Sequence, residues 1–280
     1  MLCLVFLTAF RFVDYDDAVV ITAEQKTNPE TVFRHQTYKK LWNKFLGKRS
    51  VNSVSMEQKI PKILHFVWLG SQVPGRLKKF IASWIDKHPD WTYKIWKDDD
   101  AQEFGLENIK AFNANKNFGF KSDLFRYEIL YRHGGIYLDC DFLCLDSLDF
   151  IHDNISFYAC FFQNSIVANG LIGSVANHPI LHKCIYEFNK NLVITQPNED
   201  IKIQIESGPA YFTRKIFDYL KTDGDDQDIV IFPTNYFFSF DPTKKNQFWK
   251  GNITLANSLA SLPEEAIGVH YWATSWVKND

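Results

Sequence analysis

The sequence predicts an α/β domain with a mainly parallel central sheet, preceded by a helical extension. From residue 59 onward, short apolar runs of strand length alternate with segments of helical periodicity, which is typical of strand–helix–strand units. The 280 residues suffice for one large domain, and 46% hydrophobic with 23% charged residues is ordinary for a soluble globular protein. We therefore predict an extension at residues 1–58 and an α/β domain at residues 59–280.

The extension contains one distinctive segment. Residues 31–50 carry six basic residues and no acidic residue, and apolar side chains recur among them at helical spacing: Tyr38, Leu41, Trp42, Phe45 and Leu46. This pattern predicts a basic amphipathic helix. Its apolar face either packs on the α/β domain or lies in an anionic membrane surface, in which case residues 31–49 make a peripheral membrane contact.

The domain begins with a predicted buried strand in KILHFVWLG, which ends at Gly70. A helix with one apolar face follows and ends before Pro89, and WTYKIW alternates as a second strand. Ser122 is predicted to cap a strong helix that ends at Gly134. The next strand is IYLDCDFLCL. Further helices are predicted to begin near Pro179 and Pro209, and IVIFP predicts a last strand.

Charge, cysteine content and the N-terminus restrict function and location. A formal net charge of −2 argues against a nucleic-acid binder that works through overall charge. The five cysteines lack the paired spacing of a zinc site or a disulfide framework. The apolar first ten residues lack a basic start and a cleavage site, and they are too few to span a bilayer. We predict a cytoplasmic location, with attachment at a membrane surface as the alternative.

One acidic pair stands out from the rest. The pattern D-x-D occurs five times, but only Asp139 and Asp141 interrupt an apolar run. Side chains two residues apart on an extended chain point to one side, and two carboxylates beside a hydrophobic core repel each other unless a cation compensates them. Oxygen ligands of this kind suit Mg²⁺ or Mn²⁺. A turn-forming pair at the end of a strand is the alternative.

Four segments around this pair resemble glycosyltransferase family 32, a group that includes outer-chain initiating mannosyltransferases, capsular-type bacterial enzymes and the glucosylating domains of large clostridial toxins. The segments are IPKILHFVWLG, SWIDKHPDWTYKIWKDDD, KSDLFRYEILYRHGGIYLDCDFLCLDSLD and VHYWATSW. The resemblance covers about residues 59–280. It implies a GT-A fold and a retaining transfer of a hexose-type sugar from a UDP- or GDP-sugar. The resemblance also implies that a divalent cation, Mn²⁺ or Mg²⁺, assists the transfer. The expected acceptor is a hydroxyl group of a glycan, a lipid-linked molecule or a protein.

The resemblance also implies roles for residues that bind the donor. Trp68 is expected to stack on the base, with a core tryptophan as the alternative. Asp123 and Arg126 are expected to bind ribose and sugar, although their spacing also fits a surface ion pair. Tyr137 is expected to contact the donor or simply to pack in the core. Ser275 and Trp276 are expected to reach the diphosphate through their O–H and N–H groups.

The remaining roles concern the metal and the sugar. Asp141 is expected to bind the metal, with His270 as a second ligand, although a lone histidine is more often structural. Asp139 is expected to touch ribose and sugar. Asn169, in a predicted Asn-Gly turn, and the segment at Ser207 are expected to border the sugar and the acceptor pocket, with Asn169 assigned to the catalytic group.

Two other functions remain as alternatives. A phosphohydrolase of the haloacid-dehalogenase kind also uses a D-x-D string, but it requires Thr or Val where this chain has Leu143, and its motif normally lies near the chain start. A non-catalytic carbohydrate-binding protein would explain the aromatic content of 16%. It would not need a buried acidic pair.

Overall fold

A six-stranded sheet flanked by helices forms the centre of the computed structural model, which describes residues 12–19, 26–50, 59–151, 155–162, 166–188, 199–223 and 228–273. The order in the sheet is β2-β1-β3-β6-β5-β7, and β4 and β8 form a separate two-stranded sheet. The strands are β1 (Ile63–Val67), β2 (Thr92–Trp96), β3 (Gly135–Leu138), β4 (Phe142–Cys144), β5 (Phe157–Phe162), β6 (Ile166–Ser174), β7 (Ile229–Phe232) and β8 (Gly268–His270).

The large sheet is mainly parallel. β1 pairs in parallel with β2 and β3, and β5 pairs in parallel with β7, whereas β6 runs antiparallel to both β3 and β5. The helices are α1 (Pro29–Ser50), α2 (Gly75–Lys87), α3 (Asp98–Glu103), α4 (Ile109–Ala114), α5 (Phe118–His133), α6 (Pro179–Tyr186), α7 (Glu199–Glu206), α8 (Pro209–Asp223), α9 (Lys245–Trp249) and α10 (Leu255–Leu259). The predicted α/β fold class is confirmed, and α6 and α8 begin at the predicted prolines.

Helix α5 begins five residues earlier than the sequence predicts. Its N-cap is Asn117, whose side-chain oxygen accepts hydrogen bonds from the backbone N–H groups of Gly119 (2.8 Å) and Phe120 (3.2 Å). Ser122 is therefore inside the helix and the prediction that it caps α5 is wrong. Both residue types cap helices well, so local preference alone does not choose between them. The helix ends at Gly134, as predicted, with a φ of 62°.

The apolar face of α1 is buried in the α/β domain. Tyr38 and Trp42 are fully buried, and the ring of Tyr38 stacks on Phe161 with centroids 5.3 Å apart. The indole N–H of Trp42 donates to the backbone oxygen of Val13, and its ring lies 5.4 Å from that of Phe232 in β7. These side chains are therefore not available for insertion into a membrane surface, and the packing alternative holds.

Ion pairs also fix the outer side of α1. Lys39 pairs with Asp16, and Lys48 pairs with Asp228 just before β7. None of the described helices is long and apolar enough to cross a membrane. The division at residue 58 stays a prediction, because residues 51–58 lie outside the described ranges.

Candidate functional site

A cleft of about 590 Å³ opens at the carboxyl ends of β1 and β3. The segment after β1 contributes Trp68 and Gly70, the turn after β3 contributes Asp139 and Asp141, and the end of β8 contributes His270. Ligands of open α/β sheets bind at this edge. The cleft therefore lies where ligands of this fold class bind.

Asp139 and Asp141 lie in a turn rather than on an extended strand. The N–H of Phe142 donates to the backbone oxygen of Asp139 at 3.2 Å, which closes a four-residue turn between β3 and β4. The prediction of an extended chain here is wrong. The turn nevertheless brings both carboxylates into the cleft. In the β4–β8 sheet Phe142 pairs with His270, and this pairing brings the imidazole beside them.

The three side chains form a group of potential metal ligands. Their ligand atoms lie within 4.8 Å of one another, and Nε2 of His270 is 3.0 Å from Oδ1 of Asp141 and 3.8 Å from Oδ2 of Asp139. The N–H of Ala273 donates to the other oxygen of Asp141 at 2.6 Å. Two carboxylates and one imidazole are a suitable donor set for a divalent cation such as Mn²⁺ or Mg²⁺.

Burial and charge act in opposite directions on Asp141. Burial by itself would raise the pKa of its carboxyl, but the charge and hydrogen bond of His270, together with the N–H of Ala273, lower it. These interactions keep the carboxylate of Asp141 ionised, and the ionised form is the one that binds a cation. Nδ1 of His270 is buried and has no hydrogen-bond partner in the described ranges.

Arg126 links two of the carboxylates of the cleft. Its Nη1 lies 3.1 Å from Oδ1 of Asp139, its Nη2 lies 3.2 Å from Oδ1 of Asp123, and its side chain is only 5% exposed. Nη1 also donates to the backbone oxygen of Asn169 at 2.7 Å, and the guanidinium lies 4.3 Å from the ring centroid of Tyr137. Asp123 and Arg126, which were predicted either to bind the donor or to form a surface ion pair, are therefore buried beside the turn that carries Asp139 and Asp141.

Both carboxylate oxygens of Asp123 accept hydrogen bonds from neighbouring side chains. Oδ1 accepts from the side-chain amide of Asn169 at 2.8 Å, and Oδ2 accepts from the hydroxyl of Ser207 at 2.9 Å. Burial raises the pKa of Asp123 to about 6, although Arg126 and these two hydrogen bonds act against that shift. The segment at Ser207 therefore helps to hold Asp123, and its place beside the sugar and the acceptor pocket stays a prediction.

Asn169 lies within strand β6, so the predicted Asn-Gly turn is wrong. The register between β5 and β6 shifts here, with Ala159 opposite Ile172 and Cys160 opposite Ala168, so that β6 bulges. At Gly170 a Cβ atom would lie 2.5 Å from Oδ2 of Asp139. The bulge thus aims Asn169 at Asp123, and the glycine leaves room for the carboxylate of Asp139.

Trp68 and Tyr137 occupy different positions. Trp68 is half-buried at the cleft and packs against the hydrophobic core, and its indole N–H donates to Ser71 Oγ at 3.2 Å. Tyr137 is buried, but its hydroxyl donates to Oδ1 of Asp139 at 2.8 Å and lies 3.2 Å from the hydroxyl of Ser122. Ser275 and Trp276 lie outside the described residues.

Sequence reasoning did not identify several residues of the site. Tyr127, on α5, donates to the backbone oxygen of Ser207 at 2.7 Å and accepts from the amide of Asn169 at 3.0 Å. Four further aromatic residues line the cleft: Phe118, Phe162, Phe238 and Trp272. They belong to separate segments of the chain, so no local periodicity brings them together. The positions of Tyr127 and Ser122 on the face of α5 that carries Asp123 and Arg126 were the only available signal.

Comparisons with known proteins agree with this geometry. Residues 74–161 match the family described as "Glycosyltransferase sugar-binding region containing DXD motif". An uncharacterized glycosyltransferase of Acanthamoeba polyphaga mimivirus is 30% identical over 187 residues, which are 63% of this chain and 72% of that protein. Inositol phosphoceramide mannosyltransferase 2 of Schizosaccharomyces pombe is 34% identical over 149 residues, or 51% of this chain.

This chain spans only 42% of the length of that mannosyltransferase. Among solved structures, one titled "PaToxG Glycosyltransferase" aligns with a TM-score of 0.48 at 16% identity, covering 69% of this chain and 81% of that chain. The α/β architecture and the match to the mimivirus protein agree with the predicted GT-A fold and with the resemblance to family 32. The chain therefore belongs to the family of glycosyltransferases that have a DXD-containing sugar-binding region.

Proposed function

We propose that the protein is a retaining, metal-dependent glycosyltransferase that moves a hexose from a UDP- or GDP-sugar to an acceptor hydroxyl. The group formed by Asp139, Asp141 and His270 in the cleft carries this proposal. Asp141 and His270 would hold a divalent cation, Mn²⁺ or Mg²⁺. This cation would neutralise the negative charge that develops on the departing diphosphate. Family membership favours this function over the phosphohydrolase and the non-catalytic alternatives.

The neighbouring side chains suit recognition of donor hydroxyl groups. Arg126 and Tyr137 both hold Oδ1 of Asp139, while Oδ2 of that carboxylate faces His270 and Gly170. A carboxylate fixed in this way accepts hydrogen bonds from ribose or sugar without paying further ordering entropy. We infer that Asp139, Asp123 and Arg126 position the donor, and that Asn169 acts with them from the bulge in β6.

The partners of the carboxylates favour substitution on one face of the sugar over a covalent intermediate. Arg126 engages Asp123 and Asp139, and His270 engages Asp141. We assign no nucleophilic role to these three carboxylates, because Asp141 would hold the cation and Asp123 and Asp139 would position the donor. The acceptor hydroxyl would attack the anomeric carbon as the bond to phosphate breaks, and its proton would pass to the leaving phosphate oxygen.

The names of the curated relatives favour one sugar and one class of acceptor. Several curated relatives are mannosyltransferases, and some of their names specify inositol phosphoceramide. Mannose is therefore our first choice among hexoses, with a lipid-linked hydroxyl as the first choice of acceptor. The cytoplasmic location and a peripheral membrane contact through residues 31–49 stay predictions, and only the outer face of α1 is available for such a contact.

Retention of configuration is the first expected result. Because the proposed substitution occurs on one face of the sugar, the bond in the product should have the anomeric configuration of the donor. Proton NMR of the product, recorded before mutarotation of any free sugar, reports the coupling constant of the anomeric proton. A newly formed bond of opposite configuration would contradict the retaining mechanism and leave the transferase assignment in place.

Replacement of Trp68 with alanine is expected to weaken nucleoside diphosphate binding by about 1–3 kcal/mol, the contribution of one ring stacked on a base. Trp68 is half-buried at the cleft, so the fold should survive. Titration calorimetry with UDP and GDP measures the effect, and Trp68→Phe, which keeps a flat ring, should recover most of the affinity. An unchanged dissociation constant in a folded Trp68→Ala protein would show that this ring does not contact the base.

A further inference from the structure

Three contacts join Asp141 to the end of β8 and the residues that follow it. Nε2 of His270 lies 3.0 Å from Oδ1 of Asp141, and the N–H of Ala273 donates to Oδ2 at 2.6 Å. Between them, the N–H of Tyr271 donates to the backbone oxygen of Asp141 at 3.1 Å. Both carboxylate oxygens of this proposed cation ligand are therefore held by one short segment, residues 270–273.

The chain bends within this segment at Trp272. The φ of Trp272 is 52°, in the left-handed region that residues with a Cβ atom rarely adopt. An extended chain rises about 3.3 Å per residue and would carry the N–H of Ala273 away from Asp141. The left-handed bend brings the chain back, so that the N–H groups of Tyr271 and Ala273 reach the same residue.

The side chain of Trp272 holds this bend in place. Its indole N–H donates to the backbone oxygen of Phe240 at 3.1 Å. The centroid of its ring lies 5.3 Å from that of Phe162 and 5.6 Å from that of Phe238. A bulky residue keeps a left-handed conformation only where its surroundings fix it. These contacts therefore stabilise a backbone conformation that a tryptophan would not adopt by itself.

The ring of Trp272 also packs on the imidazole of His270. Their centroids are 4.4 Å apart, and the rings of Phe142 and Phe238 lie 4.6 Å and 5.3 Å from the same imidazole. A histidine that binds a metal usually donates its second ring N–H to a polar group, which fixes its orientation. Nδ1 of His270 has no such partner in the described part of the chain. Packing by three aromatic rings takes that place here.

We propose that Trp272 is a positioning residue of the cation site. Its left-handed backbone places the N–H of Ala273 on Asp141, and its ring orients the imidazole of His270. Trp272 supplies no ligand atom, because its indole nitrogen is a donor and is bonded to Phe240. Both ligands are thus ordered before a cation binds, which lowers the entropic cost of binding. This inference rests on the proposed function, because it concerns the cation of that reaction.

Mn²⁺ binding to the full chain, followed by electron paramagnetic resonance, tests the proposal. Trp272→Ala is expected to raise the dissociation constant for Mn²⁺ about tenfold or more, the usual effect of losing a contact that orients a metal ligand. Trp272→Gly also lacks the ring, but glycine adopts the left-handed conformation readily. It should therefore bind Mn²⁺ about fivefold more tightly than Trp272→Ala. Wild-type affinity in Trp272→Ala, or equal affinity of the two variants, would overturn the proposal.

A more conservative variant keeps the test decisive if Trp272→Ala does not fold. Trp272→Phe keeps an aromatic ring but cannot donate to the backbone oxygen of Phe240. Its affinity for Mn²⁺ should lie between those of the wild type and Trp272→Gly. A folded Trp272→Phe protein that binds Mn²⁺ more weakly than Trp272→Gly would contradict a role for the ring.

Asn177 provides a matched control. Its φ is 58°, and it is exposed and does not line the cleft. Asn177→Ala and Asn177→Gly should differ in the free energy of unfolding, because alanine is strained at a left-handed position and glycine is not. Both should bind Mn²⁺ like the wild type. If they lose as much Mn²⁺ affinity as the Trp272 variants, the effect is one of general stability and the proposal is wrong.

A measurement on the cation-free protein distinguishes the failure of this inference from the failure of the proposed function. The amide proton of Ala273 should resonate further downfield in the wild type than in Trp272→Ala, because its hydrogen bond to a carboxylate is short and charge-assisted. An unchanged resonance would overturn the positioning role. If the resonance moves as expected but the wild type binds no Mn²⁺, the positioning role stands and the proposed metal dependence fails.

Discussion

Asp141→Asn is expected to slow metal-dependent sugar transfer by about 1,000-fold or more and to leave the fold intact, because a metal ion at a developing charge supplies several kcal/mol. An amide is a much poorer ligand for a hard cation than a carboxylate. The variant side chain has nearly the same shape, and its oxygen can still accept the hydrogen bond from Ala273. Its NH₂ group can donate to the imidazole of His270, which lies beside Asp141.

The measurement for Asp141→Asn combines kinetics with Mn²⁺ binding followed by electron paramagnetic resonance. Wild-type protein should bind Mn²⁺, and the variant should not bind it at the same concentrations. His270→Ala should raise the Mn²⁺ concentration needed for half-maximal rate without abolishing turnover, since both carboxylates remain. Asp146→Asn, at an exposed aspartate outside the cleft, is the control. Near-wild-type turnover of Asp141→Asn at limiting Mn²⁺ would remove Asp141 from the metal site.

Arg126→Ala is expected to lower the free energy of unfolding by about 3–5 kcal/mol, because it leaves buried carboxylates without their counter-charge. The Arg126 side chain is 5% exposed and lies within 3.2 Å of Asp123 and 3.1 Å of Asp139. Donor binding should also be lost. Urea unfolding at pH 7 measures the stability, and Arg126→Lys separates charge from geometry because it keeps the charge but not the planar fork.

Two further variants show whether the loss comes from the buried charges. Lys202→Ala removes the surface pair with Glu206, whose charged atoms are 3.8 Å apart, and should cost less than about 1 kcal/mol. Combining Arg126→Ala with Asp123→Asn should recover part of the stability, since one unpaired charge is then absent. If Arg126→Ala destabilises no more than Lys202→Ala does, the network does not contribute to the fold.

The positions of β1, β2, β3 and β7 could be predicted because short apolar or alternating runs leave few alternatives, whereas β5 and β6 were not predicted and the run predicted as one strand divides into β3 and β4. Helix α5 shows the limit of local signals. Asn117 and Ser122 are both good N-caps, and the choice of Asn117 depends on packing in the folded domain. The Asn-Gly pair at residue 169 shows the same limit. Its local preference fits a turn or a bulge, and the pairing of β6 with both β3 and β5 selects the bulge.

The candidate site depends on contacts between distant parts of the chain. His270 reaches the acidic turn only because β8 pairs with β4, and no local pattern encodes that pairing. The prediction of His270 therefore came from the family resemblance. The aromatic residues Phe118, Phe162, Phe238 and Trp272 had no such precedent, and their common position at the cleft could be recognised only in the folded chain.

Incubation of the protein with a panel of UDP- and GDP-hexoses tests the central claim most directly, with release of the nucleoside diphosphate followed by chromatography. We expect one donor to be cleaved in the presence of Mn²⁺ or Mg²⁺, with transfer to an added acceptor or slow transfer to water. Removal of the cation with EDTA should stop the cleavage, and restoring it should bring the activity back. Release of inorganic phosphate from phosphate esters, or sugar binding without cleavage of any donor at saturating metal, would contradict the account.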